Sequence, residues 1–229
     1  MFKSEAYVSW PTRLPSEVAR DVAELAKRTQ LESREKVFNE VRVFIEDVKG
    51  NPDPHVMCIV AEWGEGKTSI YEGYLKSLHP KEGKVITIGG STLMNYAKKI
   101  VEEDLLPVCK VDGYRFLAAV FCSLGDELKW NFEGIKIPSP YRYIDARKYV
   151  LEVFKRIFGF RERKWSRLFI FIDEFEEIVR VDPETRNMLV SGIVDFLNMK
   201  VSELGEGGEY RGLLHLISVS YTHLTLPTN

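Results

Sequence analysis

The stretch "AEWGEGKTS" (61–69) places Ala61, then four residues, then Gly66, Lys67 and Thr68. That is the spacing G-x-x-x-x-G-K-[ST] with alanine in the first glycine position. The first position asks for little bulk where a strand turns over, and Ala61 meets that demand. Gly64 and Gly66 give the backbone the freedom to point successive N–H groups inward. A helix beginning near Gly66 adds its positive end. Lys67 would reach the β- and γ-phosphates of a nucleotide, and Thr68 would offer its hydroxyl to Mg²⁺. The expected nucleotide-binding loop is thus Ala61, Glu62, Trp63, Gly64, Glu65, Gly66, Lys67, Thr68 and Ser69. Glu62 and Glu65 fit beside phosphates if their side chains point outward and their N–H groups inward. Trp63 fits a wedge packing the loop better than a platform for a base.

A second chemistry-bearing stretch is "LFIFIDEFEEI" (168–178). Its apolar start drives a strand through the core and delivers Asp173 and Glu174 at the carboxyl end, the edge where parallel sheets bind ligands. Asp173 would join the Mg²⁺ shell, and Glu174 would polarise a water for in-line attack on the γ-phosphate. Glu176 and Glu177 read as acids favouring a helix start rather than as catalysts.

Positioning these groups requires strands and helices in alternation. "HVMCIVA" (55–61), "KVITIGG" (84–90), "RLFIFID" (167–173) and "LLHLIS" (213–218) are apolar enough to be buried strands. A first helix is expected over about 17–27, capped by Ser16. In the next, capped by Ser33, Val37, Val41, Phe44, Ile45 and Val48 share a face, and Gly50 and Pro52 end it. Helices follow "GKTSIYEGYLKSL", "TLMNYAKKIVEEDL" after Ser91, "YRFLAAVFCSLGDEL", "DARKYVLEVFKRIFGF" and "PETRNMLVSGIVDFLNMKVSEL", the last with Pro183 in its first turn. "NFEGIKIPSPYRY" and "EGGEYRG" read as loops. The pattern predicts an α/β sandwich around a mainly parallel sheet.

The two stretches together resemble the Walker A and Walker B motifs of P-loop NTPases with an added catalytic glutamate. "ESREKVFNEVRVFI" before the first strand is similar to the segment preceding the P-loop in origin-recognition-type AAA+ ATPases and related STAND ATPases. Similar loops occur in the KAP family and in archaeal ATPases of unassigned role. The resemblance spans about residues 31–218 and implies a three-layer sandwich with sheet order 5-1-4-3-2, ATP and Mg²⁺ as cofactors, and often a ring or other homo-oligomer. Ala61 is one departure from the pattern. The long interval between "KVITIGG" and "RLFIFID" is another, implying additional helices.

The last residues, "VSYTHLTLPT" from Val219, resemble the in-frame translation of a transposon-based sequencing adapter. On that basis residues 219–229 are set outside functional reading, 1–54 form a helical lead-in, and 55–218 a core truncated after its fourth strand. The fifth strand, the helical lid and its sensor-2 arginine would then be missing, with Ser218 at the sensor-1 position or that residue lost. The expectation for residues 1–229 is weak binding of ATP·Mg²⁺ and slow hydrolysis.

Bulk properties narrow the classes. The 229 residues carry a net charge of −2, so the whole-molecule field does not favour nucleic acid. Cys58, Cys109 and Cys122 show no CxxC, and no leader-like apolar run opens the chain, which fits free thiols in a cytoplasm. Apolar stretches are too short to span a bilayer, so no membrane role is expected. Gln30 is the only glutamine, a weak thermophilic hint. The basic "RERKWSR" (161–167) reads as a solvated turn rather than a DNA contact. Arg180 and Arg186 could serve as a trans arginine finger, though the usual finger lies further along. His55, His79 and His215 lack metal-ligand spacing, and His215 reads as a packed core residue. The first functional expectation is an ATPase acting on DNA, of origin-recognition type. The alternative is a STAND-type signalling or defence switch without direct nucleic-acid binding. A third is a nucleotide-binding scaffold without hydrolysis, against which Glu174 argues.

Overall fold

Strands that are apolar without alternation need both faces covered, and the arrangement here supplies two covers. The computed structural model describes residues 32–51, 53–61, 70–72, 75–78, 82–159, 165–198 and 212–221. Four parallel strands form the sheet: β1 (Val56–Ala61), β2 (Lys84–Gly89), β5 (Leu168–Asp173) and β6 (Leu214–Tyr221), in the spatial order β1-β6-β5-β2. Helix α1 (Glu32–Gly50) lies on one face. Its Val41, Ile45 and Val48, with Ile70 and Leu75, pack on Ile59, Val85, Phe169, Phe171, Ile217 and Val219.

The opposite face of the sheet carries four helices: α2 (Gly90–Val101), α3 (Asp112–Glu127), α4 (Ala146–Phe158) and α5 (Pro183–Leu197). They close over Ile86, Ile88, Leu168, Ile170, Ile172, Leu214 and Leu216. The described residues therefore form an α/β fold of three layers, with the expected mainly parallel sheet.

Helix α3 is buried on every side from Phe116 to Gly125, as suits a helix without a polar face. It packs among α2, α4 and α5. Ser123 tolerates this burial by donating to the Ala119 carbonyl at 2.8 Å. Closest approach is between α3 and α5. A Cβ on Gly192 would collide with Phe116 Cβ and stand 2.8 Å from the Asp112 carbonyl oxygen. We expect Gly192→Ala to cost about 2 kcal/mol or more by overpacking, although alanine is the better helix former. Urea unfolding at neutral pH measures this, and an unchanged midpoint would refute it.

Several boundaries differ from expectation. "NFEGIKIPSPYRY" contains a hairpin, β3 (Asn131–Phe132) with β4 (Ile135–Lys136), and a 3-10 turn over Pro140–Arg142. Its two turn residues, Glu133 and Gly134, both have positive φ (49° and 87°), the requirement of a two-residue hairpin turn. Helix α5 is described to Leu197, with Asn198 as its cap, and residues 199–204 of the expected helix lie outside the described residues. Strand β6 runs beyond Ser218 to Tyr221, because Val219, Ser220 and Tyr221 continue the ladder opposite Ile59, Val60 and Ala61. The basic 161–167 segment is not simply solvated. Trp165 is buried and its indole N–H donates to Glu133 at 3.1 Å, while Arg167 donates to the Lys49 carbonyl at 2.7 Å. Residues 160–164, His79 and the first expected helix lie outside the described residues.

Candidate functional site

Parallel strands share one carboxyl edge, so the register fixes what meets there. Gly89 pairs with Asp173 at the ends of β2 and β5. Ile172 pairs with Ser218, and Ile59 with Val219, so Asp173 stands level with Val219 and Ile59. One strand, β6, separates β5 from β1. At the usual strand spacing the two backbones are about 10 Å apart. Ala61 ends β1 two positions further along the same edge. Glu62, Trp63, Gly64, Glu65, Gly66, Lys67, Thr68 and Ser69 lie outside the described residues. Beyond them, Ile70–Glu72 is helical and Ile70 is buried against the α1 face of the sheet.

Asp173 is half-buried and Glu174 exposed. The chain turns sharply between them: Glu174 has φ 56° and ψ 44°, the left-handed region. A glutamate occupies it at a cost of about 1–3 kcal/mol, sustained only when its surroundings over-determine it. Two hydrogen bonds contribute. The Glu174 N–H donates to Asp173 Oδ1 at 3.0 Å, and the Glu174 carbonyl accepts from the Glu177 N–H at 3.1 Å, opening a 3-10 helix over Phe175–Arg180. Partial loss of solvent raises the Glu174 carboxyl above the ordinary glutamate range. The charges of Asp173, Glu176 and Glu177 push the same way, against Arg180. A carboxylate so raised is the better proton acceptor.

Glu176 and Glu177 occupy the first turn of the 3-10 helix, where the sequence places helix-start acids. Arg180 pairs with Glu177 at 2.6 Å and is well exposed. Arg186 is engaged otherwise: its guanidinium donates to the carbonyls of Ile178, Val179 and Val181 at 3.2, 2.7 and 3.1 Å. It therefore closes the end of the 3-10 helix from α5. Ser218 lies within β6 below the edge, its hydroxyl directed to Cys58 Sγ at 3.2 Å. Among the described residues no group of three or more His, Cys, Asp or Glu is arranged to hold a metal ion, and none of their helices is long and apolar enough to cross a membrane. All three cysteines are free, and burial pushes the Cys122 thiol up to about 12, which leaves it unreactive.

Sequence reasoning missed two features. The left-handed backbone of Glu174 carries no compositional mark. The pair Gly89–Gly90, where β2 gives way to α2, reads merely as a strand end, yet the strand register brings it against Asp173 and Glu174. In comparisons with known proteins, no family model matches the chain and no curated protein matches it.

Proposed function

We propose that the chain binds ATP with Mg²⁺ and hydrolyses it, as a P-loop NTPase of AAA+/ASCE type. The observation that carries this reading is the shared edge. β1, which leads into the lysine- and threonine-bearing loop, ends on the same rim as the Asp173–Glu174 pair, one strand away. In chain order the four parallel strands lie 1-4-3-2, which supports the reading because the resemblance implies that order for four of its five strands.

In this scheme the backbone N–H groups of residues 62–68 cradle the phosphates, and Lys67 offsets their charge. Asp173 supplies a hard oxygen donor at the strand end, and the Thr68 hydroxyl is its complement, a donor set suited to Mg²⁺. The metal would supply charge neutralisation at the phosphate oxygens. Glu174 orients a water for in-line attack and accepts its proton, giving ADP and inorganic phosphate. Fixed charge around the γ-phosphate lowers the barrier more than any single proton transfer. A switch role would use the same residues as a DNA-acting role.

Affinity for a fluorescent ATP analogue with Mg²⁺ provides the first test. Lys67→Ala is expected to weaken binding by about tenfold or more, the value of one charge-assisted contact. Equal binding by the parent chain and Lys67→Ala would defeat the proposal.

A further inference from the structure

The end of β2 carries no side chain where it meets the end of β5. Gly89 faces Asp173 across the ladder, and Gly90 opens α2 immediately beyond. A Cβ on Gly90 would fall on the Glu174 carbonyl oxygen, 2.7 Å from the carbonyl carbon and 2.8 Å from the Asp173 carbonyl oxygen. All three are backbone atoms, so no side chain can rotate away to make room. The turn they belong to is the left-handed one at Glu174, a conformation a glutamate keeps only under outside constraint. The 3-10 helix that follows packs along α2 and against β6.

We infer that Gly90 is a positioning residue. Its missing side chain lets the start of α2 seat against the Asp173–Glu174 backbone, which fixes the left-handed turn and with it the direction of the Glu174 carboxylate. The geometric half of this inference stands on the contacts alone; the catalytic half rests on the ATPase reading above.

A thermal cycle on the 1–229 chain tests the geometry. A glycine-to-alanine change at an exposed helix start is ordinarily neutral or stabilising. Gly90→Ala is instead expected to lower Tm by about 5–10 °C, while the neighbouring Ser91→Ala stays within about 2 °C. In a Glu174→Gly background the backbone can shift without strain, so the penalty of Gly90→Ala should fall to less than half. An unchanged Tm for Gly90→Ala, or the same penalty in both backgrounds, overturns the inference. If Gly90→Ala alone does not fold, recovery of folded protein in the double variant supports the inference and its absence overturns it.

Kinetics test the catalytic half. Turnover of Gly90→Ala should drop to the level of Glu174→Gln with nucleotide affinity within about twofold, the pattern of a misdirected catalytic group. A folded Gly90→Ala that keeps its turnover overturns the positioning role. A parent chain that neither binds nor hydrolyses ATP defeats the ATPase reading instead, and the thermal cycle still decides whether Gly90 sets the turn.

Discussion

Glu174→Gln is expected to bind ATP·Mg²⁺ as the parent chain does and to lose turnover by about 10²–10³-fold, within the range of general-base contributions. The amide keeps the shape of the side chain and its hydrogen bond to a water but cannot take the proton. Asp173→Asn should behave differently. It weakens the Mg²⁺-dependent part of nucleotide affinity, because an amide oxygen replaces an anionic donor at the strand end. The contrast depends on how the strand delivers the two groups. Asp173 is the last strand residue, half-buried, with Oδ1 accepting the Glu174 N–H, whereas Glu174 turns out of the strand into the left-handed region. Single-turnover hydrolysis beside equilibrium binding, with and without Mg²⁺, separates the roles. Full turnover by Glu174→Gln would remove it from the chemistry.

A second large effect is expected from pH, and it arises at the opposite end of the sheet. His215 is fully buried in β6, stacked on Phe169 with ring centroids 5.2 Å apart. Its Nδ1 accepts the His55 backbone N–H at 3.3 Å, and its Nε2–H donates to the Gly212 carbonyl at 3.0 Å. Both ring nitrogens are satisfied by the neutral form. Burial, reinforced by the His55 and Arg167 charges and opposed by the Gly212 carbonyl, pushes the imidazole down to about 3. The unfolded chain binds a proton near pH 6.5 that the folded chain refuses, so His215 contributes its full stability above that pH. This stability falls as pH drops from 6.5 towards 3, by about 1.4 kcal/mol per unit, or about 2 kcal/mol by pH 5. His215→Gln retains a donor and an acceptor without the titration. It should flatten the dependence of unfolding free energy on pH between 6.5 and 5, as read by urea melts. An equal slope in both proteins would contradict the assignment.

Strand β5 was legible because burial on both faces leaves an uninterrupted apolar run, and Leu168–Ile172 is at most 1% exposed throughout, whereas β1, expected to be buried, lies at the sheet edge with Cys58 and Val60 exposed on one face. Helices α1 and α4 were legible from their amphipathic spacing, Val41, Ile45 and Val48 being buried in the first and Val150, Val153, Phe154 and Ile157 in the second. The β3–β4 hairpin was not. Each strand is two residues long, and its turn begins with Glu133 rather than the Asn or Gly that would mark it. His215 could be recognised as a core residue from its apolar neighbours. Its contact with the His55 backbone, 160 positions away, could not. The acid pair at 173–174 was legible as chemistry, while its backbone geometry depends on Gly90, whose proximity follows from register rather than local sequence.

The strand order also sets a timetable for biosynthesis. Among the described residues β1 pairs only with β6 in the sheet, a partner about 160 positions later in the chain. At about 5–20 residues per second, β1 waits roughly 8–32 s after leaving the ribosome before β6 exists to receive it. α2, α3 and α4, with the β2–β5 pair, can assemble in that interval, since their contacts close earlier. Until then the nascent strand Val56–Ala61 keeps its hydrogen-bonding edge open, with the preceding helix α1 already made to pack against Ile59.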